Sequence, residues 1–591
     1  MRNVGNLVSQ KLLPQVSHPA QYIGLEANRR CGNVEKAGVT VVLAFADAYS
    51  VGISHLGSQV LYTMLNSTPG AACDRAYCPM PDAEAVMRAE GIPLFGWESR
   101  CAVGDFNILG FSLAYELCAT NVLTMLDLAG IPIHAADRRE RDPLVVGGDA
   151  LADSPEPLAD FFDLFLVGDG EEPLSALVKL VGEMKLAGAS RGEIILQAAR
   201  TIPATYAPQF YQPQRVDGSP LPVPRRTRQD VPETIRRAHV ASLSDSPAIT
   251  APLVPVAEGI HERVMIEIMR GCPNGCRFCQ AGHTRLPVRW RSVDEIVNIA
   301  RKAVAATGFD EISLLSLSSS DYPQLNELID RLNAQFAGRC VSISLPSLRV
   351  DSQLKALPKL TSAVRKGGLT IAAEAGSDRL RRAIRKDISE EDMLAGVRAA
   401  YEAGWRKVKV YFMAGLPGET DADIEAIFDL CRRLSETGRE VIGRPGAISA
   451  SVSWFVPKPH TPMQWCAMRD AEYLLGVRRR LRELARRSPV SFKFHWVERS
   501  LLEGVIARGD RRVGKTIEAA WRAGARMDSW NEHFDYAKWT AAFEQTHPTP
   551  SSIANVELPL DAPLPWSHIT GHRSEDFLRK EYQRLIEAGA E

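Results

Sequence analysis

The chain has 591 residues, 45 % of them hydrophobic, and its 70 basic side chains nearly balance its 71 acidic ones. At about 150 residues per domain this length predicts three or four domains, and the net charge of −1 excludes a general polyanion-binding surface. No segment approaches the roughly 18 apolar residues of a membrane span, and the N-terminus lacks the apolar core of a signal peptide. Eleven cysteines are too sparse for a disulfide scaffold. We therefore expect a cytoplasmic protein without a membrane segment, whose cysteines carry chemistry.

The first third of the chain alternates short β-type runs with helical patterns, after an irregular lead-in over residues 1–38. This alternation predicts an α/β domain with a doubly wound parallel sheet over residues 39–190. Its β-type runs are Val39 to Ala46, Phe106 to Phe111, Leu144 to Val146 and Leu164 to Val167. Residues 191–258 are rich in proline, which removes a hydrogen-bond donor from a sheet. For that stretch we predict an extended connector with few strands.

The alternation resumes over residues 259–460. Six repeats exceed a flavodoxin-like sheet and fall short of the eight of a full barrel, so we predict a partial (β/α)6 barrel. The six apolar runs are Val264 to Ile268, Ile312 to Leu317, Val341 to Leu345, Leu369 to Ala373, Val408 to Met413 and Ile448 to Val456. The remaining residues, 461–591, read as a helical C-terminal region. Six arginines between Arg478 and Arg487 favour a solvated helix face, with a phosphate or RNA patch as the alternative.

The strongest chemical signal is the segment RGCPNGCRFCQAG, which places Cys272, Cys276 and Cys279 in a CxxxCxxC arrangement directly after the first barrel strand. A structural zinc site needs four ligands, and His283 could complete one. A ferredoxin-type cluster also uses four cysteines. Three thiolates would instead leave one iron of a four-iron cluster open to a non-protein ligand. The carboxyl end of a barrel strand is where barrel active sites lie, so we favour a catalytic cluster.

These residues resemble the radical S-adenosylmethionine (SAM) superfamily, whose signature is CxxxCxφC with an aromatic φ, here Phe278. The resemblance implies that the three cysteines hold a [4Fe–4S] cluster and that SAM chelates the open iron. An electron from a reductant such as flavodoxin or ferredoxin then cleaves SAM to a 5′-deoxyadenosyl radical, which abstracts a substrate hydrogen. Ser318 to Ser320 stand where the family usually carries a Gly-Gly-Glu-like motif for the methionine amine. Ser318 and Ser320 are therefore candidate contacts, although the motif departs from the family's pattern.

Further segments resemble SAM-binding elements of the same family. AAEAGS, Ala372 to Ser377, resembles an ExGS motif, so Glu374 is expected to accept hydrogen bonds from the ribose hydroxyls, with Ser377 beside it. Lys386 stands where some relatives bind the methionine carboxylate. GLPGET begins at Gly415, just after Met413, and resembles the glycine-rich loop on the adenine side.

The N-terminal domain resembles the cobalamin-binding fold, whose first loop is DxHxxG with a cobalt-ligating histidine, followed by SxL and a GG loop. Here Asp47, Tyr49 and Gly52 stand in the first loop, Ser112 in the second, and Gly147 and Gly148 in the third. Loops at the carboxyl ends of a doubly wound sheet bind ligands. The resemblance thus implies cobalamin over these loops. Because Tyr49 replaces the histidine, we expect no protein nitrogen on the lower face of the corrin.

The segments Ser451 to Trp465 and Arg499 to Asp535 extend the resemblance over nearly the whole chain, to a bacterial family of radical SAM proteins with a cobalamin-binding domain. The leading hypothesis is a radical SAM enzyme that transfers a methyl group from cobalamin to its substrate. An alternative is a radical SAM enzyme without cobalamin that catalyses a rearrangement, an oxidation or a sulfur insertion. A third hypothesis is a metal-containing scaffold that binds RNA through its arginine clusters. RNA, a peptide and a small molecule all remain open as the substrate, because barrel loops carry no readable substrate code.

Overall fold

The computed structural model of the protein describes residues 1–346 and 369–590. An N-terminal six-stranded sheet has the order β2-β1-β3-β4-β5-β6, in which β1 to β5 are parallel and β6 is antiparallel to β5. Its strands are β1 (Val39–Phe45), β2 (Ala71–Tyr77), β3 (Ile108–Ser112), β4 (Leu144–Gly148), β5 (Leu164–Leu166) and β6 (Thr205–Tyr206). The predicted doubly wound parallel sheet is confirmed, and the order 2-1-3-4-5 is that of flavodoxin-like folds.

The sequence pattern missed β2 because its centre is charged. Arg75 is nonetheless buried, since it forms ion pairs with Glu26 and Glu98, each at 2.9 Å. Glu26 belongs to the lead-in, which therefore packs on the sheet instead of standing apart from it. Paired charges can be buried in this way, whereas an isolated charge cannot.

Five longer helices cover the faces of the N-terminal sheet. They are α1 (Leu56–Asn66), α2 (Pro81–Ala89), α3 (Ala119–Leu128), α4 (Glu171–Leu186) and α5 (Arg191–Thr201). His55 caps α1 by accepting a hydrogen bond from the Ser58 backbone N–H, and Ser190 and Glu193 form a capping box at the start of α5. Helix α5 lies within the segment that we predicted to be an extended connector, so that prediction was wrong at its start.

The rest of the connector also contains more strand structure than its prolines indicate. A hairpin joins β7 (Tyr211–Gln214) to β8 (Val223–Arg226), and β9 (Ile235–Arg236) pairs in parallel with Ile569–Thr570 near the C-terminus. Prolines are tolerated here because these are two-stranded ribbons with open edges. The connector therefore joins the N-terminal domain to the end of the chain.

The second half of the chain forms parallel strands separated by helices, and the predicted barrel strands all occur. Within the described residues they form a three-stranded sheet, β10-β13-β14, and a four-stranded sheet, β15-β16-β17-β18; a short antiparallel ribbon pairs β11 with β12. The strands are β10 (Val264–Glu267), β11 (Met269–Arg270), β12 (Arg289–Trp290), β13 (Glu311–Leu315), β14 (Ser342–Ser344), β15 (Leu369–Glu374), β16 (Lys407–Ala414), β17 (Ala447–Trp454) and β18 (Val490–Phe494). The pattern missed β18, which pairs in parallel with β17 and lies in the region predicted to be helical.

Helices follow the barrel strands, and further helices form the C-terminal region. The predicted helical C-terminal region is therefore confirmed. The helices are α6 (Val293–Thr307), α7 (Leu325–Gln335), α8 (Glu390–Glu402), α9 (Asp421–Ile442), α10 (Ala471–Ala485), α11 (Val497–Arg508), α12 (Val513–Arg522), α13 (Tyr536–Thr546) and α14 (Glu575–Ala590). Capping boxes at Ser292 and Ser389 begin α6 and α8. None of the helices in the described part of the chain is long and apolar enough to cross a membrane.

Candidate functional site

The cysteine loop begins where β11 ends, at the carboxyl edge of the barrel. Gly271 has φ +87°, and a Cβ there would lie 2.7 Å from the Arg285 carbonyl oxygen, so only glycine fits this turn. All three thiols are half-buried. Burial, against the lowering effect of Lys386 and with smaller contributions from Cys279 and Cys272, raises the pKa of Cys276 to about 11. The three sulfurs therefore share one electrostatic environment that a nearby cation moderates.

Contacts with two other elements hold the loop in place. The Arg277 guanidinium donates to the Ala383 carbonyl oxygen at 2.6 Å and pairs with Glu581 of α14 at 3.1 Å. His283, in the short helix Gln280–Thr284, lies with Nε2 3.1 Å from the Cys276 carbonyl oxygen. Burial lowers the pKa of His283 to about 4, so the ring is neutral. Its Nε2 is thus engaged with the backbone of the cysteine loop.

The donor set fits an iron–sulfur cluster. Within residues 1–346 and 369–590, no group of three or more His, Cys, Asp or Glu side chains is arranged to hold one metal ion. A four-iron cluster offers a separate iron atom to each thiolate, so its ligands need not converge on one point. Three thiols on one loop beside a lysine fit such a cluster.

Glu374 and Lys386 lie beside this loop. Their side chains are 3.5 Å apart, between Glu374 Oε1 and Lys386 Nζ, and both act electrostatically on the Cys276 thiol. Burial raises the pKa of Glu374, while Lys386 opposes that effect. Glu374 ends β15 at a register shift and has φ +66°, a conformation that L-residues rarely adopt. The structure thus brings together Glu374, Lys386 and the cysteines, as the sequence predicted.

Ser318 lies next to the cysteine loop through a residue that sequence reasoning missed. Asp321 Oδ2 accepts hydrogen bonds from Ser318 Oγ at 2.6 Å and from Asn274 Nδ2 at 2.8 Å. Asn274 Nδ2 also lies 3.3 Å from Cys272 Sγ. Ser320 belongs to the same 3-10 turn, Ser319–Asp321. A carboxylate is therefore present where the Gly-Gly-Glu-like motif is lacking, one residue beyond the serines.

The remaining residues predicted to contact SAM are held by contacts within the fold. Ser377 caps the short helix Asp378–Ala383 and donates to Asp423 Oδ1 at 2.5 Å, so its hydroxyl is engaged in the fold. Met413, near the end of β16, is buried, and Phe278 packs partly buried against the core. Gly415 has φ +88° and donates its N–H to Glu419 Oε1 at 2.8 Å. Burial raises the pKa of Glu419 to about 7.

A cavity of about 600 Å³ lies between the carboxyl edge of the N-terminal sheet and the barrel. On the sheet side it runs between α1 and α4 over the ends of β3, β4 and β5, and Ser112, Gly147 and Gly148 line it. Its barrel wall is formed by residues 269–271 and 315–317, which lead directly into Cys272 and Ser318. One cavity therefore borders both the loops predicted to bind cobalamin and the residues predicted to bind the cluster and SAM.

Three polar side chains, those of Asp149, Arg285 and His55, meet in this cavity where the two domains face each other. Asp149 Oδ1 accepts a hydrogen bond from the Arg285 guanidinium at 2.7 Å, and its Oδ2 lies 3.5 Å from His55 Nε2. Burial opposes ionisation of Asp149, but Arg285 and His55 outweigh it and hold its pKa below the usual range. Burial lowers the pKa of His55, against the effect of Asp149. Sequence reasoning missed His55 and Asp149 because neither stands in a motif position.

The structure corrects the prediction for the first loop of the N-terminal domain. Asp47, Tyr49 and Gly52 do not line the cavity. Asp47 accepts hydrogen bonds from the Trp530 indole at 2.7 Å and from the Ser529 hydroxyl at 3.1 Å. Tyr49 is 2 % exposed and packs on Tyr77, whose ring would also lie 2.4 Å from a Cβ on Gly52. The contacts of these three residues are therefore with the fold and not with the cavity.

Comparison with known families gives two matches. Residues 266–431 match the model of the Radical SAM superfamily, and residues 57–208 match the model described as Radical SAM proteins, N-terminal. Residues 266–431 therefore form a radical SAM domain, as the cysteine motif indicated. This domain implies a [4Fe–4S] cluster and SAM as cofactors, and an external reductant.

Individual relatives cover different parts of the chain. An uncharacterized protein of Methanocaldococcus jannaschii is 25 % identical over 81 % of this chain and 90 % of its own length. A tRNA-2-methylthio-N(6)-dimethylallyladenosine synthase of Sorangium cellulosum is 27 % identical, over 33 % of this chain and 42 % of that protein. Among solved structures, the cobalamin-dependent S-adenosylmethionine radical enzyme OxsB has a TM-score of 0.49 at 12 % identity, covering 93 % of this chain and 79 % of that chain.

Proposed function

We propose that this radical SAM enzyme transfers a methyl group from cobalamin, held at the carboxyl edge of the N-terminal sheet, to a substrate at the barrel mouth. The observation that carries the proposal is the shared cavity, whose walls include both Gly148 and the residues leading into Cys272. A methyl donor and a radical-generating site must address one substrate atom, so their sites must adjoin.

The residues at the barrel edge have separate tasks in this proposal. Cys272, Cys276 and Cys279 hold the cluster, and Glu374 accepts hydrogen bonds from the ribose hydroxyls while Lys386 keeps its buried carboxylate paired. Asp321 takes the methionine ammonium, replacing the missing glutamate of the Gly-Gly-Glu-like motif. Bound SAM supplies the 5′-deoxyadenosyl radical when the cluster is reduced.

Two glycines in the backbone wall of the cavity leave space for a bound group. Gly148 and Gly170 line it, and a Cβ on either would meet its nearest atom at 3.8 Å and 3.5 Å respectively, so both glycines leave room that side chains would fill. Apolar residues of α1 and α4, including Val60 and Leu174, line the slot beneath the mouth. An apolar slot with a few polar groups at its mouth is typical of cofactor sites. Cobalamin bound there would supply the methyl group.

The test is anaerobic reconstitution of the full chain with iron, sulfide and hydroxocobalamin, followed by incubation with a chemical reductant, methyl-labelled SAM and cell extract. We expect stoichiometric cobalt, formation of 5′-deoxyadenosine and label in a product. Gly148→Phe, which fills the cavity, should lose the cobalt and the labelled product while it still forms 5′-deoxyadenosine. Leu186→Phe, on the exposed face of α4, is the matched control.

Two results would contradict the proposal. If the wild type retains no cobalt but forms 5′-deoxyadenosine, the enzyme works without cobalamin, by rearrangement, oxidation or sulfur insertion. If Gly148→Phe keeps the cobalt, the corrin does not occupy this cavity.

A further inference from the structure

The last barrel strand, β18, has an apolar outer face and a polar inner face. On the outer face the rings of Phe492 and Phe494 stack with 5.9 Å between centroids, and the Arg482 guanidinium of α10 lies 5.5 Å from the centre of the Phe494 ring. Helices α9 and α10 pack on this side of the sheet. Because successive residues of a strand point to opposite faces, Ser491 and Lys493 lie on the inner face of the barrel.

Three neighbouring strands place a tyrosine, a serine and a lysine side by side on this inner face. Tyr411 of β16 is in register with Ser451 of β17, which is in register with Lys493 of β18. Neighbouring strands lie about 4.8 Å apart, so the three side chains form one row. Lys409, two residues before Tyr411, donates from Nζ to Tyr411 Oη at 2.6 Å and lies over the same ring. The row therefore has an ammonium group at each end.

This row differs from the usual filling of a barrel, which consists of layers of packed apolar side chains. Lys409 and Tyr411 are half-buried, Ser451 is 9 % exposed and Lys493 is exposed. Among residues 1–346 and 369–590, no carboxylate forms an ion pair with Lys409 or Lys493. Because Tyr411 Oη already accepts from Lys409, its O–H can donate to a ligand. Two positive charges and two hydroxyl groups are thus available to bind an anion.

The row lies just below the carboxyl edge of the barrel. Met413 and Ser453 pair with each other two residues further along their strands, and Glu374 pairs with Phe412. At about 3.3 Å per residue, the row is roughly 7 Å below the level of Met413. A ligand held by the row and extending toward the edge would therefore reach the residues proposed to bind SAM.

We propose that Lys409, Tyr411, Ser451 and Lys493 bind a phosphate group of the substrate, which is a small phosphate monoester. The inference rests on the proposed function, because it names the class of substrate that reacts at the barrel mouth. A phosphate monoester carries nearly two negative charges at neutral pH and three strong acceptor oxygens. The two lysines balance that charge, whereas a carboxylate would leave one of them unpaired.

Calorimetric titration of inorganic phosphate into the full chain, reconstituted with its oxidised cluster and SAM, tests the site without turnover. We expect one phosphate per chain. Lys409→Met and Lys493→Met should each weaken phosphate binding about 10-fold, because each removes one charge-assisted contact. Lys302→Met makes the same change on the exposed side of α6 and should bind phosphate as the wild type does. Acetate, with a single charge, should bind more weakly than phosphate.

Three results of this titration would overturn the inference. They are no binding of phosphate to the wild type, wild-type affinity in both lysine variants, and binding of acetate as tight as that of phosphate, which would assign the site to a carboxylate. Thermal melting shows whether each variant is folded. Lys493 is exposed, so Lys493→Met keeps the test valid if Lys409→Met does not fold.

Treatment of the small-molecule filtrate of a cell extract with alkaline phosphatase tests the substrate itself. The phosphatase is removed by filtration before the enzyme, a chemical reductant and methyl-labelled SAM are added. The treated filtrate should give no labelled product, and a mock-treated filtrate should give it. Undiminished product from the treated filtrate would overturn the inference and leave the proposed function intact. If neither filtrate gives product, the proposed methyl transfer fails, and the phosphate titration alone decides the inference.

Discussion

Asp149 and Glu374 make the two halves of the molecule directly comparable. Asp149 follows β4 of the N-terminal sheet and Glu374 ends β15 of the barrel, so each lies at the carboxyl edge of a parallel sheet. Both have positive φ, 75° and 66°, although neither is a glycine. Each carboxylate also has one cation, Arg285 for Asp149 and Lys386 for Glu374.

The difference between them lies in the origin of the cation. Lys386 belongs to the same barrel as Glu374, whereas Arg285 reaches Asp149 from the other domain. Glu374 is therefore part of a site complete within the barrel, while the Asp149 site exists only where the two domains meet. We therefore expect the group within the barrel to serve SAM binding and the group at the interface to influence the choice of reaction.

Loss of a cluster thiol should have the largest effect. Cys276→Ala should abolish both the cluster absorbance and 5′-deoxyadenosine formation, because a [4Fe–4S] cluster with an open iron needs all three thiolates. Iron content and anaerobic product analysis measure this. Cys340→Ala, at an exposed cysteine outside the loop, is the control. Reductive cleavage of SAM by the Cys276 variant would contradict the cluster assignment.

Glu374→Gln should weaken SAM binding about 10–100-fold, because a hydrogen bond to a charged group contributes about 1.5–3 kcal/mol and each 1.4 kcal/mol is a factor of ten. The dissociation constant of SAM on the cluster-loaded enzyme, measured by calorimetry, tests this. Glu402→Gln, on the exposed end of α8, should bind SAM as the wild type does. Unchanged affinity in Glu374→Gln would remove Glu374 from the SAM site.

The sequence predicts one of the two carboxylate sites much better than the other. Glu374 and the cysteines stand in motifs, and hydrophobic runs predict the strands that carry them. Asp149, His55 and Asp321 acquire their roles through contacts with distant residues, which no local pattern encodes. The same holds for β2, whose Arg75 is buried only because Glu26 reaches it, and for β18, whose five residues follow an arginine-rich helix. Tyr49 misled the prediction because its side chain is buried against Tyr77 and does not line the cavity.

Asp149 also provides a test of whether its own backbone is strained. Asp149→Gly removes the Arg285 contact but relieves roughly 1–3 kcal/mol of backbone strain. Asp149→Asn keeps the strain and loses the charge. We therefore expect the glycine variant to unfold at the same or a higher denaturant midpoint than the asparagine variant, although it lacks more atoms. A clearly lower midpoint for Asp149→Gly would show that the backbone there is unstrained.

The smallest effect concerns Glu419, whose carboxylate accepts hydrogen bonds from Gly415 N–H and Tyr473 Oη, both at 2.8 Å. Burial raises its pKa to about 7 from the ordinary 4.5. Because the folded pKa is raised, the stability that protonated Glu419 contributes is full below about pH 4.5 and is lost as the pH rises to about 7. Glu419→Gln keeps the accepting oxygen and stays neutral. Its melting temperature should therefore exceed that of the wild type by about 1–3 °C at pH 8, and this difference should vanish near pH 5. Thermal scans at both pH values measure it, and a difference independent of pH would show that Glu419 is already ionised within its loop at pH 5.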